Sequence, residues 1–127
     1  MAQHKILIVD DDSTLREALK TALENAGYSA LEARDGSEGL LVAEHELPNL
    51  ILLDIQMPKT NGHEMLKIMR NTPWGKDIHV LLLTNADDPT NISHGVGLRS
   101  NDYIIKSNTS LEDIVKRVKQ HLAGYFD

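Results

Sequence analysis

Three consecutive acids, Asp10, Asp11 and Asp12, follow directly on the apolar run Ile6-Leu7-Ile8-Val9. Like charges set against a buried run repel one another, so the arrangement is costly without a positive partner nearby. Three other apolar stretches also end on residues that can do chemistry: "LILL" runs into Asp54, "VLLL" into Thr84 and "YII" into Lys106. Carboxylates, a hydroxyl and an ammonium brought to one place suit phosphoryl transfer to a carboxylate. Asp is an established type of covalent nucleophile toward phosphoryl groups. A hard cation such as Mg²⁺ prefers carboxylate and carbonyl oxygens and would relieve the repulsion among the acids. Lys106 and Thr84 would then stabilise the transferred group.

Taken singly, each residue has a plainer explanation. Acids ahead of a helix are favoured by its dipole. A lone Asp after a strand commonly serves a turn. Thr84 could bond backbone at a strand end, and Lys106 could be a surface lysine. The case rests on their joint occurrence at four separate strand ends.

The elements that must position them are legible in the apolar pattern. The runs at 6–9, 50–53 and 80–83 are continuous rather than alternating, which predicts parallel strands covered on both faces. Segments 28–33 and 102–106 predict two more. Helices are expected between them. Leu15, Ala18, Leu19, Ala22, Leu23 and Ala26 recur at helical spacing up to Gly27, with Thr14 and Glu17 as a capping box or Ser13 as the cap. Segments 37–46, ended by Pro48, and 63–70 predict the second and third helices. The fourth starts near Asp88-Pro89, although Gly95 and Gly97 interrupt it. Ser110 and Asp113 open the fifth, whose apolar stripe is Leu111, Ile114, Val115, Val118 and Leu122. Strands alternating with helices give an α/β domain with right-handed crossovers, and ligands in such sheets bind beyond the carboxyl ends of the strands.

Composition narrows the class. The chain has 127 residues, enough for one domain with a proper core, and a formal net charge of -6. That charge, with Lys and Arg scattered, argues against nucleic acid or anionic membrane as the main partner. There is no cysteine, which excludes disulfides and thiolate metal sites. The apolar runs are far too short to span a membrane, and acids follow the first at once, unlike a signal peptide. An intracellular, cytoplasmic domain is expected. The six histidines show no metal-ligand spacing and are expected to be surface or half-buried, and Trp74 to be a packing residue or a partner contact.

Through "ILIVDDDS", "LILLDIQMPKTNG", "LLLT" and "DYIIK", the sequence resembles the receiver domain of two-component response regulators over essentially its whole length. The resemblance implies a single receiver domain over residues 1–127. Its fold would be flavodoxin-like, a doubly wound five-stranded parallel sheet of order 2-1-3-4-5 with five helices. It makes Asp54 the phosphoacceptor. Asp10, Asp11, Asp54 and the backbone carbonyl of Gln56 would hold Mg²⁺, with Mn²⁺ as a substitute. Thr84 and Lys106 would sense the phosphoryl group, and Tyr103 would be the aromatic that changes rotamer in the switch. Asp12 falls outside the acidic pair and reads as a helix-start charge.

The implied donor is the phosphohistidine of a sensor histidine kinase or a histidine phosphotransfer protein. Transfer to Asp54 and its later loss would be self-catalysed, with Gln56 and Ala86 tuning the lifetime. Phosphorylation would bias a two-state equilibrium read by a protein target at the face of helix four, strand five and helix five, in a monomer or a phosphorylation-linked dimer.

Three departures from the family pattern bear on coupling and kinetics more than on phosphorylation itself. Ser107 follows Lys106 where the family has a proline after a cis bond; a cis non-proline bond costs roughly 2.5–4 kcal/mol, so a trans bond is expected. Asn85 stands where a small residue usually follows the threonine. Arg99 and Ser100 replace a common Gly-Ala, so the fourth helix is expected to end differently, near Gly97.

Two other readings compete. "IVDDDST" also fits the first motif of haloacid-dehalogenase-type phosphatases, with Asp10 as nucleophile and Asp12 as acid/base. That family needs further acids at a strand end after the lysine, whereas Glu112 and Asp113 fall in the fifth helix, and it leaves Asp54 unexplained. The third reading is a receiver-fold protein-binding module with slow or no phosphorylation, against which the intact acid, Thr and Lys set argues.

Overall fold

The computed structural model describes residues 3–57, 61–84 and 101–124. Five strands, β1 (Lys5–Val9), β2 (Ser29–Ala33), β3 (Leu50–Asp54), β4 (His79–Thr84) and β5 (Asp102–Ile105), form one sheet of order β2-β1-β3-β4-β5. Every pairing is parallel. Among the described residues the helices are α1 (Ser13–Asn25), α2 (Gly36–Glu46), α3 (Gly62–Arg70) and α4 (Leu111–Leu122), with a 3-10 turn at Lys106–Asn108. Here α4 is the fifth helix of the sequence reading. The fourth, with Asn85, Ala86, Arg99 and Ser100, lies outside the described residues.

Continuous apolar strands are explained by a core on each face of the sheet. On one face Ile6, Ile8, Leu50, Leu52, Leu81, Leu83 and Ile104 pack against Leu19 and Leu23 of α1 and Ile114 and Val118 of α4. On the other, Leu7, Val9, Ile51, Leu53, Val80 and Leu82 meet Ala43 of α2 and Met65, Leu66 and Met69 of α3. Successive residues point to opposite faces, so neither face tolerates a polar strand interior. Trp74 packs on the second core, with Ile78.

Helix starts are capped by side chains, and one cap differs from expectation. Asp12, not Thr14 or Ser13, caps α1, accepting from the N–H groups of Thr14 (3.0 Å) and Leu15 (3.3 Å). A carboxylate does this better than a hydroxyl because it also meets the positive end of the helix dipole. Asp35 and Asn61 cap α2 and α3, and Ser110 caps α4 by accepting from Asp113 N–H. Helix α2 ends at Leu47, in the left-handed region at φ 48°, one residue ahead of Pro48.

His121 overturns the expectation that the histidines are surface or half-buried. It is 3% exposed, between α4 and the sheet. Its Nδ1 lies 2.7 Å from His79 Nε2 and its Nε2 lies 2.9 Å from Asp102 Oδ2. Among the described residues, no helix is long and apolar enough to cross a membrane.

Candidate functional site: an acidic cleft at the strand ends

Parallel register levels the carboxyl ends of the central strands. Val9 pairs with Leu53, Asp54 with Leu83, and Thr84 with Ile105, so the residues that follow emerge together. The cleft there, about 450 Å³, is lined by Asp10, Asp11, Asp12, Leu15, Asp54, Gln56, Lys106 and Ser107. A larger groove between α1 and α4, about 610 Å³, receives no residue from a strand end.

Asp10 and Asp54 are both buried. Lys106 Nζ bridges them, 2.9 Å from Asp10 Oδ2 and 3.2 Å from Asp54 Oδ1. Asp12 N–H donates to Asp10 Oδ1 (2.9 Å) and Gln56 N–H to Asp54 Oδ1 (3.2 Å). Burial, and then the charge of Asp10, push the Asp54 carboxyl up to about 7, against the opposing pull of Lys106 and the Gln56 N–H. Burial also works against the Lys106 ammonium, yet the hydrogen bond to Asp10 and the charges of Asp54 and Asp10 hold it above the usual lysine range.

Asp11 is exposed at the rim, and oxygens of Asp10, Asp11 and Asp54 lie within 4.8 Å of one another. Three carboxylates facing one ammonium leave surplus negative charge, and their oxygens are the donor set a hard divalent cation such as Mg²⁺ prefers. The residues present therefore fit a cation.

The structure thus brings Asp10, Asp11, Asp54 and Lys106 together, with the Gln56 backbone alongside. Thr84 is fully buried at the last position of β4. Tyr103 lies opposite Leu82 on β5 and is 40% exposed. It shares a sheet face with Thr84, two register positions back from it. Asp12 lines the cleft, but its Oδ1 caps α1, a helix-start role that argues against the acid/base of the phosphatase-type reading. No peptide bond among the described residues is cis, so Lys106–Ser107 is trans, as expected, and Lys106 still reaches both carboxylates.

Two supporting residues escaped the sequence reading. Arg16 Nη1 donates to the Asp10 carbonyl at 2.8 Å. Its signal was available: Arg16 stands three residues before Leu19 and seven before Leu23, at the spacing of the buried stripe rather than of a solvated face. Gly62 abuts the backbone of Asp54 and Ile55. In "TNGHE" it reads as an ordinary turn residue, and nothing in the pattern marks that approach.

Residues 6–119 match the response regulator receiver domain family, and the chain belongs to that family. It is similar to a probable transcriptional regulator, ycf27, of Galdieria sulphuraria: 38% identical over 126 residues, covering 98% of this chain and 48% of that protein. The chemotaxis protein CheY4 of Vibrio cholerae superposes with a TM-score of 0.88 at 28% identity, covering 94% of this chain and 98% of that one. A CheY-like response regulator receiver domain protein from Methanospirillum hungatei superposes at 0.89 and 29% identity, covering 96% and 95%. The chain spans less than half the length of the curated relatives it matches. It is a receiver domain of the two-component response regulator class.

Proposed function

We propose that this chain is a single receiver domain that takes a phosphoryl group onto Asp54 and signals by the change that follows. The observation that carries the reading is Asp54 itself, a carboxylate 1% exposed at a strand end, with Lys106 Nζ 3.2 Å away and two further acids beside it. A buried carboxylate so placed is held ready for in-line attack.

In the proposed reaction a carboxylate oxygen of Asp54 attacks the phosphorus of a phosphohistidine on a sensor kinase or phosphotransfer protein. The new P–O bond forms as the P–N bond breaks, and the donor imidazole leaves with the electron pair. Lys106, already bridging Asp10 and Asp54, follows the negative charge onto the phosphoryl oxygens. Thr84 supplies a hydroxyl from the end of the neighbouring strand. Asp10 and Asp11, with Asp54 and the Gln56 carbonyl, are the groups that would hold Mg²⁺ (or Mn²⁺), which when bound neutralises charge developing on the phosphoryl group. Hydrolysis of the acyl phosphate restores Asp54.

The signal then passes through Thr84 and Tyr103, which share a face of β4 and β5, to a protein target at the surface of β5 and α4, the described part of the expected face. The reading carries a cytoplasmic site of action with it. Relatives named as transcriptional regulators extend well beyond the matched region, so any DNA contact would belong to such additional parts.

Intact mass after incubation with acetyl phosphate, with and without Mg²⁺, tests the proposal. One phosphoryl group gained only with Mg²⁺, and lost in Asp54→Asn, is expected. No gain from acetyl phosphate or from a phosphohistidine donor would favour the binding-module reading. A gain that survives Asp54→Asn but not Asp10→Asn would overturn Asp54 as acceptor.

A further inference from the structure

Arg16 lies about one helical turn beyond the acidic triplet, and its side chain is only 12% exposed. Its guanidinium is used as a fork. Nη1 donates to the backbone carbonyl of Asp10 at 2.8 Å, while Nε donates to Glu32 Oε1 on β2 at 3.0 Å. The other Glu32 oxygen is 3.6 Å from Lys20 Nζ, so the anchor is itself held from α1. The carbonyl that Arg16 grips belongs to the peptide joining Asp10 to Asp11. Everything else about Asp10 is already fixed: its N–H donates to Ala33 O (3.1 Å), Oδ1 accepts from Asp12 N–H (2.9 Å), and Oδ2 faces Lys106 (2.9 Å). Asp11 is exposed, so the peptide plane that precedes it sets where its Cα–Cβ bond starts and hence which rotamers bring its carboxylate to the other two acids.

We propose that Arg16, anchored by Glu32, is a positioning residue for cation binding: it locks the Asp10–Asp11 peptide and so keeps the Asp11 carboxylate in register with Asp10 and Asp54. The inference rests on the reading of those three acids as cation ligands. Groups that orient ligands without touching the metal typically contribute 10–100-fold to affinity. Arginine is required because one planar group must serve a carbonyl and a carboxylate at once, which a single ammonium does poorly.

Calorimetric titration with MgCl₂ tests this on the wild type and on Arg16→Met, Arg16→Lys and Glu32→Gln. Arg70→Met serves as a control, because Arg70 Nη1 clamps the carbonyls of Gly75, Lys76 and Ile78, a loop before β4 remote from the cleft. Arg16→Met is expected to weaken Mg²⁺ binding about tenfold, with Arg16→Lys and Glu32→Gln intermediate and Arg70→Met unchanged. The Mg²⁺ concentration for half-maximal acetyl phosphate labelling should shift with it, while the rate at saturating Mg²⁺ stays close to wild type. Should Arg16→Met not fold, Arg16→Lys and Glu32→Gln carry the comparison. Wild-type affinity in the Arg16 variants, or an equal loss in Arg70→Met, would overturn the positioning role and leave the cation reading intact. A wild-type protein that takes up no Mg²⁺ would overturn both.

Discussion

Lys106 stands closer to Asp10 than to Asp54, with Nζ at 2.9 Å from Asp10 Oδ2 and 3.2 Å from Asp54 Oδ1. One ammonium thus serves two buried carboxylates, and the shorter contact goes to the one that is not the proposed acceptor. Asp54 is left the less compensated of the two, with an oxygen free for attack. A lysine committed to Asp54 alone would have to be dragged off before reaction; here it need only lean from one carboxylate toward the new phosphoryl oxygens.

Replacing Lys106 by Met therefore leaves two buried acids facing each other without a cation. Breaking a buried ion pair from one side costs roughly 3 kcal/mol. Lys106→Met is expected to lower the unfolding free energy by that order at pH 8, seen as a lower urea midpoint with the slope unchanged, and to slow acetyl phosphate labelling by about 10²-fold, the scale of one lost electrostatic donor. Added Mg²⁺ should recover stability in part. Urea titration with and without Mg²⁺ checks the first claim and the time course of mass gain the second.

The pH dependence of stability should bear the mark of Asp54. Burial, then the charge of Asp10, raise its carboxyl from 3.8 to about 7, so the folded protein retains a proton that the unfolded chain has released. The contribution is fully present below the ordinary value of 3.8 and is lost as pH climbs through about 7. In the absence of divalent cation, wild-type stability should fall over that window. Asp54→Asn, which carries no charge to bury, should not follow, and should be the more stable form at pH 8 by roughly 1–3 kcal/mol. Mg²⁺ should close the gap by stabilising the wild type. Thermal melts from pH 4 to 8 with EDTA, repeated with Mg²⁺, decide it; parallel curves for the two proteins would count against a perturbed Asp54.

Gly62 supplies a steric test of how tightly the acceptor is held. A β-carbon there would overlap the Asp54 carbonyl oxygen and lie 2.9 Å from Ile55 Cα, and both neighbours are backbone that cannot rotate aside. The start of α3 would have to back away from the end of β3, taking the Asp54 backbone out of line. Gly62→Ala is expected to cost about 2–3 kcal/mol and to slow labelling at Asp54. Gly75→Ala offers the matched control, since its β-carbon would clash with Met69 instead. It should destabilise while leaving the labelling rate of the folded protein near wild type.

What the sequence made legible was the part governed by local pattern. Continuous apolar runs mark buried parallel strands, and the residue at each run's end marks the cleft, because parallel strands bring their carboxyl ends to one edge. The strand order is implied by the family resemblance, and the register is seen only in the structure. Ser110 was legible as a cap because a hydroxyl three residues before an acid is a local signal. Asp12 is legible as a helix-start charge, but that it and not Ser13 or Thr14 accepts the capping bonds is shown only by the geometry. Arg16, Gly62 and the His79–His121 pair were missed for a different reason. Their partners lie on other elements, 16 residues from Arg16 to Glu32 and 42 from His79 to His121, so spacing can mark Arg16 as buried without naming what it bonds.

The His121 cluster predicts a second effect of pH, at the opposite end of the sheet from the cleft. Asp102 opens β5 and accepts from His121 Nε2 (2.9 Å) and Arg117 Nη1 (2.6 Å) on α4. Burial alone would raise its carboxyl, but the hydrogen bonds from His121, Arg117 and the Tyr103 N–H prevail and hold it below the usual carboxylate range. A depressed carboxyl contributes stability that is present above its unfolded value and lost as pH falls through the lower folded value. Asp102→Asn keeps the shape and removes the charge, so it should cost about 1–2 kcal/mol at pH 7. The difference from wild type should shrink below pH 4 as the native Asp102 itself takes up a proton. His121→Ala should cost more, about 2–4 kcal/mol, because it opens a cavity in addition to breaking two contacts. Both variants should retain Mg²⁺-dependent labelling of Asp54 when folded, because β4 and β5 begin at this cluster and end at the cleft. Urea denaturation at pH 7 and pH 3.5 reads out the linkage. A constant Asp102→Asn difference across that range would mean that the hydrogen bonds, and not the charge, fasten α4 to the sheet.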